Sequence, residues 1–254
     1  MRTLKLSLAL AFLASCASTG SEPVASPDAL PAHADLKAAL VEAQAQDNGG
    51  LSTHMWATIV DRDGVVRAVT FSGEDRGSQW PGSRIISAQK AYTANAFSLD
   101  GLSLSTANLF SATQPGSSLY GLQHSNPVDE DAGYRGPAAN FGQPNDPMVG
   151  QRVGGVNVFG GGLALYDADG NCIGAVGVSG DTSPADHNIA WRIRDSLGLD
   201  HVPGGVSGDE ERPDNIIFDI AGGKSAGGFG HAHALGGNEA NEASIAGSLP
   251  PIGN

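Results

Sequence analysis

The sequence predicts an α+β fold: an antiparallel sheet with helices packed on it, surrounded by long Gly-rich loops. Two observations carry this. Paired β-rich runs, "IVDRDGVVRAV" at 59–69 and "LYDADGNCIGAV" at 165–176, each turn through Asp-x-Asp-Gly, and Asp-Gly between such runs is a strong hairpin signal. Each pair then meets a Ser-Gly corner, Ser72-Gly73 and Ser179-Gly180, followed by a helical pattern. Two hairpins, each followed by a helix, make one antiparallel sheet under helices.

The chain begins with a targeting segment. Arg2 and Lys5 supply positive charge, and Leu6 to Leu13 is an apolar run too short to span a bilayer as a mature helix. Leu13-Ala14-Ser15-Cys16 resembles a bacterial lipobox, in which Cys16 is lipidated and becomes the first mature residue; the alternative is an ordinary secretory peptide. Residues 1–16 thus read as a lipoprotein signal peptide and 17–32, rich in Ser, Pro and Ala, as a tether. The expected location is exported, lipid-anchored in the bacterial cell envelope and facing the periplasm. With Cys16 acylated, Cys172 is alone and no intrachain disulfide forms. Among apolar neighbours, Cys172 reads as a small buried hydrophobe.

Residues 33–199 form the expected domain. Residues 34–46 read as a helix with Leu36, Leu40 and Ala43 on one face, ended by Asn48-Gly49-Gly50. The runs 55–61 and 65–71 make the first hairpin, and 83–98 a helix capped by Ser83. The runs 163–169 and 172–178 make the second hairpin. The last long helix covers 184–198, with Ser183 as cap, Pro184 at its start and Asp186 as the acidic member of a capping box. The segments 111–160 and 200–254, rich in Gly, exceed usual loop lengths and read as functional loops, oligomer contacts or disorder; "NIIFDI" at 215–220 reads as one extra strand.

Composition narrows the functions. The chain has 254 residues, 40% of them apolar, with 36 Gly and a net charge of -13. Fourteen Lys and Arg in so acidic a chain exclude nucleic acid as a partner. There is no P-loop, nucleophile elbow or dinucleotide fingerprint; "GGVNVFGGG" at 154–162 lacks the strand–turn–helix setting.

Three blocks resemble the GlcG/HbpS-like family of haem-degrading or haem-binding domains. They are the hairpin at 55–71, the helix Ser87-Ala88-Gln89-Lys90-Ala91-Tyr92-Thr93-Ala94, and Gly161-Gly162 leading through Asp169-Gly170 to Gly177-Val178-Ser179-Gly180. The resemblance covers about 34–110 and 154–199. It implies a profilin-like fold, self-association into a homo-oligomer, and binding of haem or a related tetrapyrrole. Ala164-Leu165 departs from the family's usual Pro-Ile, and the loop at about 111–153 and the extension 200–254 are longer than in a minimal member.

The candidate ligand site lies where helix 83–98 meets the 177–187 corner, and its residues are Lys90, Thr93, Arg84, Ser179, Gly180 and His187. Lys90 and Thr93 interrupt an apolar stripe. Lys90 either pairs with a ligand carboxylate or snorkels. Arg84 either meets an anionic group at the helix start or is solvated. Gly177 and Gly180 permit close backbone approach beside the free N–H groups of a helix start. His187 shares a face with Trp191 and Arg194 at the edge of the core and is either packed or a ligand contact. For haem, the ligand is any His, His124 first among the loop histidines, or Tyr92, Tyr120 or Tyr134; covalent haem is excluded, since Cys-x-x-Cys-His is absent. His231 and His233 form a weak metal-like pair, and no metal is expected. The leading function is a lipid-anchored small-molecule-binding protein; the alternatives are an enzyme or accessory factor acting on haem or a small organic acid, and a structural or assembly lipoprotein.

Overall fold

Both Asp-Gly turns close as hairpins. In the computed structural model, which describes residues 29–234 and 239–253, β1 (Trp56–Asp61) pairs antiparallel with β2 (Val66–Phe71), and β3 (Gly162–Tyr166) with β4 (Cys172–Ser179). Cys16 and most of the 17–32 tether lie outside the described residues. The turns share a mechanism. Asp61 Oδ1 accepts from the N–H groups of Asp63 and Val65, and Asp167 Oδ1 from those of Asp169 and Asn171. The carboxylate thus templates each turn, and Gly64 and Gly170 take the positive φ, 73° and 79°, that it needs. β1 also pairs with β4, so the sheet order is β2-β1-β4-β3, all antiparallel.

Alternation along the strands divides the core into two faces. Ala57, Ile59, Val176 and Val178 join Leu36 and Leu40 of α1 (His33–Gln44) and Ile189 and Ile193 of α5 (Ser183–Ser196). Trp56, Val60 and Ala175 face α2 (Ser83–Ala96) through Ile85, Ala88 and Ala91. The sheet is therefore sandwiched between α2 and the α1–α5 pair. The small residues of the second hairpin serve this packing. A Cβ on Gly177 would collide with Ser87 O and Ala91 N, and one on Gly162 with Lys90 O. Cys172 is 5% exposed, and burial raises its thiol pKa, in keeping with a packing role.

Several local expectations are corrected. Gly82, not Ser83, is the N-cap of α2; Ser83 is its first helical residue and is buried. Thr182, not Ser183, caps α5, its hydroxyl accepting from Ala185 N–H. Asp186 does not close a capping box on Ser183; its Oδ1 accepts from Asp181 N–H and its Oδ2 from Lys90. Of "NIIFDI", only Ile220 belongs to a strand, the two-residue β5 (Ile220–Ala221) paired with β6 (Lys224–Ser225). Asn215 and Ile216 instead press on α5, where Asn215 Oδ1 accepts from His187 Nε2–H and from the Ile216 N–H.

The long segments fold onto this core. The loop forms 3-10 turns, α3 (Leu122–Ser125) and α4 (Glu130–Tyr134). The C-terminal extension carries α6 (Glu239–Gly247) and buries Leu249 completely in the α1–α5 core. Among the described residues no helix is long and apolar enough to cross a membrane.

Candidate functional site

The structure buries Lys90 and Thr93 of α2 and Ser179 at the end of β4, and it joins Lys90 to the start of α5, but the polar atoms of Lys90 and Thr93 are committed to the protein. Lys90 is 1% exposed; its Nζ donates to Asp186 Oδ2 (2.6 Å) and Val178 O (3.1 Å). It therefore does not snorkel. Burial pushes the Asp186 carboxyl up to about 7, against the opposing pull of Lys90. Thr93 Oγ1 donates to Gln89 O (2.7 Å) and accepts from Asn157 N–H (3.0 Å). Ser179 is 4% exposed, on the last residue of β4 opposite Trp56. Gly180 is the close-approach residue, as expected, but what it approaches is the chain leading into β1: a Cβ there would collide with His54 O.

Arg84 is 3% exposed, so the solvated alternative does not hold. Its Nε donates to Asp146 Oδ2 (2.9 Å) and its Nη2 to Asp146 Oδ1, a bidentate pair, while Nη1 donates to Gly133 O (2.7 Å). The Phe141 ring lies 3.7 Å from the guanidinium carbon. Arg84 thus ties the loop to the first turn of α2 at three places. No pattern in the sequence announces Asp146, because the pairing spans 62 residues.

His187 is not at the edge of the core but fully buried. Its Nε2 bonds to Asn215 Oδ1 (3.1 Å), and burial pushes its pKa down to about 4. Beside it, Arg194 donates to both oxygens of Asp214 (2.7 and 2.8 Å), with both side chains at 0% exposure. Ser103 donates to the same carboxylate (2.7 Å). One further arrangement escaped the sequence reading: Gly160 N–H donates to Ser183 Oγ (2.6 Å), which donates to His231 Nε2 (2.8 Å), while His231 Nδ1–H donates to Ala232 O (2.6 Å). Burial pushes His231 down to about 4, which makes it a weak base and this chain of bonds a clasp between α5 and the extension.

His233 stacks on Phe218 and meets Glu242 Oε2 at 3.2 Å; His124 is exposed in α3, and His54 is exposed with Nδ1 bonded to Ser72 Oγ. Tyr92 packs at the Gly64 turn, Tyr120 is exposed, and Tyr134 is exposed at the end of α4. Among the described residues no three His, Cys, Asp or Glu side chains cluster as metal ligands.

An open cleft of about 560 Å³ lies at the N-terminal end of α2. Trp56, Pro81, Ala138 and Phe141 give it apolar walls, and Asp75, Arg76 and Tyr134 stand at it as polar groups. Its size and its few polar groups are those of a small-molecule site. One wall, Tyr134 to Phe141, comes from the loop, and Arg84 holds that wall through Gly133 O and Phe141.

A family model described as "Haem degrading protein HbpS-like" matches residues 32–193. No curated protein matches the chain significantly. Three solved structures are similar. The Klebsiella pneumoniae protein ORFY is 28% identical, over 68% of this chain and 89% of that one, with a TM-score of 0.44. A PduOC:heme complex is 25% identical, over 66% and 94%, with a TM-score of 0.46. A double mutant of Streptomyces reticuli HbpS is 16% identical, over 75% and 99%, with a TM-score of 0.41.

Proposed function

The chain belongs to the HbpS-like family, and on that premise we propose that it is an exported, lipid-anchored protein that binds haem or a closely related tetrapyrrole. The observation that carries the reading is the match of a haem-degrading family model across residues 32–193, which takes in the four-stranded sheet, α1, α2 and most of α5. The described residues fit such a group. The cleft at the start of α2 is walled by apolar side chains, and tyrosines and histidines able to ligate iron are present. Bound there, haem would supply an iron with a visible spectrum and redox chemistry. The protein's part is to bind it, orient it and shield one face from water. Self-association, implied by the family resemblance, is part of the same reading.

Titrating haemin into the full-length protein and following the visible spectrum tests the binding. A saturable shift at one haem per chain is expected; a spectrum identical to free haemin at every ratio rejects the reading. Light scattering on the same sample reads the subunit count, and a strict monomer removes self-association. Adding a reductant then separates a carrier, whose haem spectrum persists, from an enzyme that consumes it.

Export and anchoring rest on Arg2, Lys5, the apolar run and Leu13-Ala14-Ser15-Cys16. Intact mass of the membrane fraction is expected to show an acylated Cys16 as the first residue. A soluble mature chain starting at another residue would remove the anchor from the proposal.

A further inference from the structure

We infer that haem sits in the cleft between the 75–82 turn and the loop wall 134–141, with the Tyr134 phenolate as its iron ligand and Arg76 paired with a propionate; this rests on the haem-binding reading above. The corner at Lys90 is the less favourable place. A carboxylate reaching Lys90 would have to displace Asp186 from 2.6 Å and leave that carboxylate buried without its cation. The cleft asks for no such displacement. Tyr134 is 58% exposed and lines the cleft. Tyrosine is an established kind of haem ligand, and the only other possible oxygen ligand among the lining side chains is Asp75.

Asp75 is held elsewhere. Its Oδ1 accepts from Gly77 N–H (2.8 Å) and Ser78 Oγ (3.2 Å), and these bonds keep its carboxyl below the ordinary range. Arg76 donates no hydrogen bond to the described residues and is exposed, so its guanidinium is open to an anionic partner. Tyr134 is well positioned. Asp129 caps its short helix by accepting from Ala132 N–H (2.9 Å), and Arg84 grips the carbonyl of Gly133, one residue before it. Arg84 is thus a positioning residue for the cleft and not a contact to the ligand. The opposite lip is Gly82, where a Cβ meets nothing within 4 Å and the backbone is helical, φ -65°.

These features allow variants that touch the site without touching the fold. Haemin is titrated into the full-length wild type and into Tyr134→Phe, Gly82→Phe and Arg76→Ala, each first shown to melt at the wild-type temperature. The wild type is expected to give the charge-transfer and electron-spin-resonance signature of a phenolate-ligated ferric haem, and Tyr134→Phe to lose it. Gly82→Phe, which places a ring at the cleft mouth, is expected to weaken binding by roughly tenfold or more. Arg76→Ala is expected to weaken binding of haemin but not of its dimethyl ester. Wild-type affinity and spectrum in both Tyr134→Phe and Gly82→Phe would overturn the assignment while leaving haem binding intact. A wild type that binds no haemin would remove the haem reading, and this site with it.

Discussion

Lys90→Ala is expected to destabilise the protein by about 3–5 kcal/mol, because it strands a buried carboxylate rather than a ligand. Lys90 and Asp186 are 2% and 4% exposed at their side chains and 2.6 Å apart, between α2 and the first turn of α5. The pair joins the helices on the two faces of the sheet. The sign of the pH effect follows from Asp186. Burial already raises its carboxyl to about 7, above its unfolded value of 3.8. A raised acid penalises the fold increasingly as pH climbs from the unfolded value through the folded one. Without Lys90 the carboxyl rises further, so the deficit of the variant should be largest near pH 8 and smaller near pH 5.5, where Asp186 takes up a proton. Lys90→Met with Asp186→Asn removes both charges and keeps an acceptor for Asp181 N–H, so it should regain most of the loss. Urea unfolding at the two pH values reads all of this. A Lys90→Ala protein within experimental error of wild type at pH 8 would show that the pair does not form in solution.

Asp214→Ala is expected to cost about as much, roughly 3–5 kcal/mol. Arg194 and Asp214 are both at 0% exposure and joined by two parallel hydrogen bonds, and Arg194 also lies over the Trp191 ring at 4.5 Å. Burial works against the Asp214 charge, but Arg194 and Ser103 outweigh it and hold its carboxyl below the ordinary range. Removing Asp214 leaves a guanidinium with Ala164 O (3.3 Å) as its remaining hydrogen-bond partner. Position 214 lies beyond the segment that matches the family, so the result also decides whether the extension is part of the cooperative unit. Asp214→Asn, which keeps the acceptor from Ser103 and removes the charge, should lose less. If Asp214→Ala unfolds with the wild-type midpoint, the extension is an appendage and the buried pair contributes nothing.

The sequence by itself determined the sheet and its helices. Asp-x-Asp-Gly is a local device: one carboxylate accepts the two N–H groups of its own turn, and glycine takes the positive φ, so both hairpins can be read from a few residues. The helical stripes of 33–44, 83–96 and 183–196 are equally local. The family resemblance was legible for the same reason, since its blocks are these turns and the small residues on which α2 lies. The partners of the charged residues were not legible. Lys90 and Arg84 read as cations open to a ligand or to water, and Arg194 only as a neighbour of His187 on one helix face; each is closed by an aspartate, 96, 62 and 20 residues away respectively. Asp146 lies in a Gly- and Pro-rich loop and Asp214 in the C-terminal extension, where no periodicity marks them, and Asp186 reads from its place at a helix start as a cap. Only the folded chain, which must neutralise a charge once water is excluded, decides which Asp does so. The cleft belongs to the same class. Its two walls come from segments far apart in the chain, and they meet at the start of α2, where Arg84 grips Gly133 O and Phe141 and where Gly133 lies against Ile85 and Gly142 against Trp56 and Phe71.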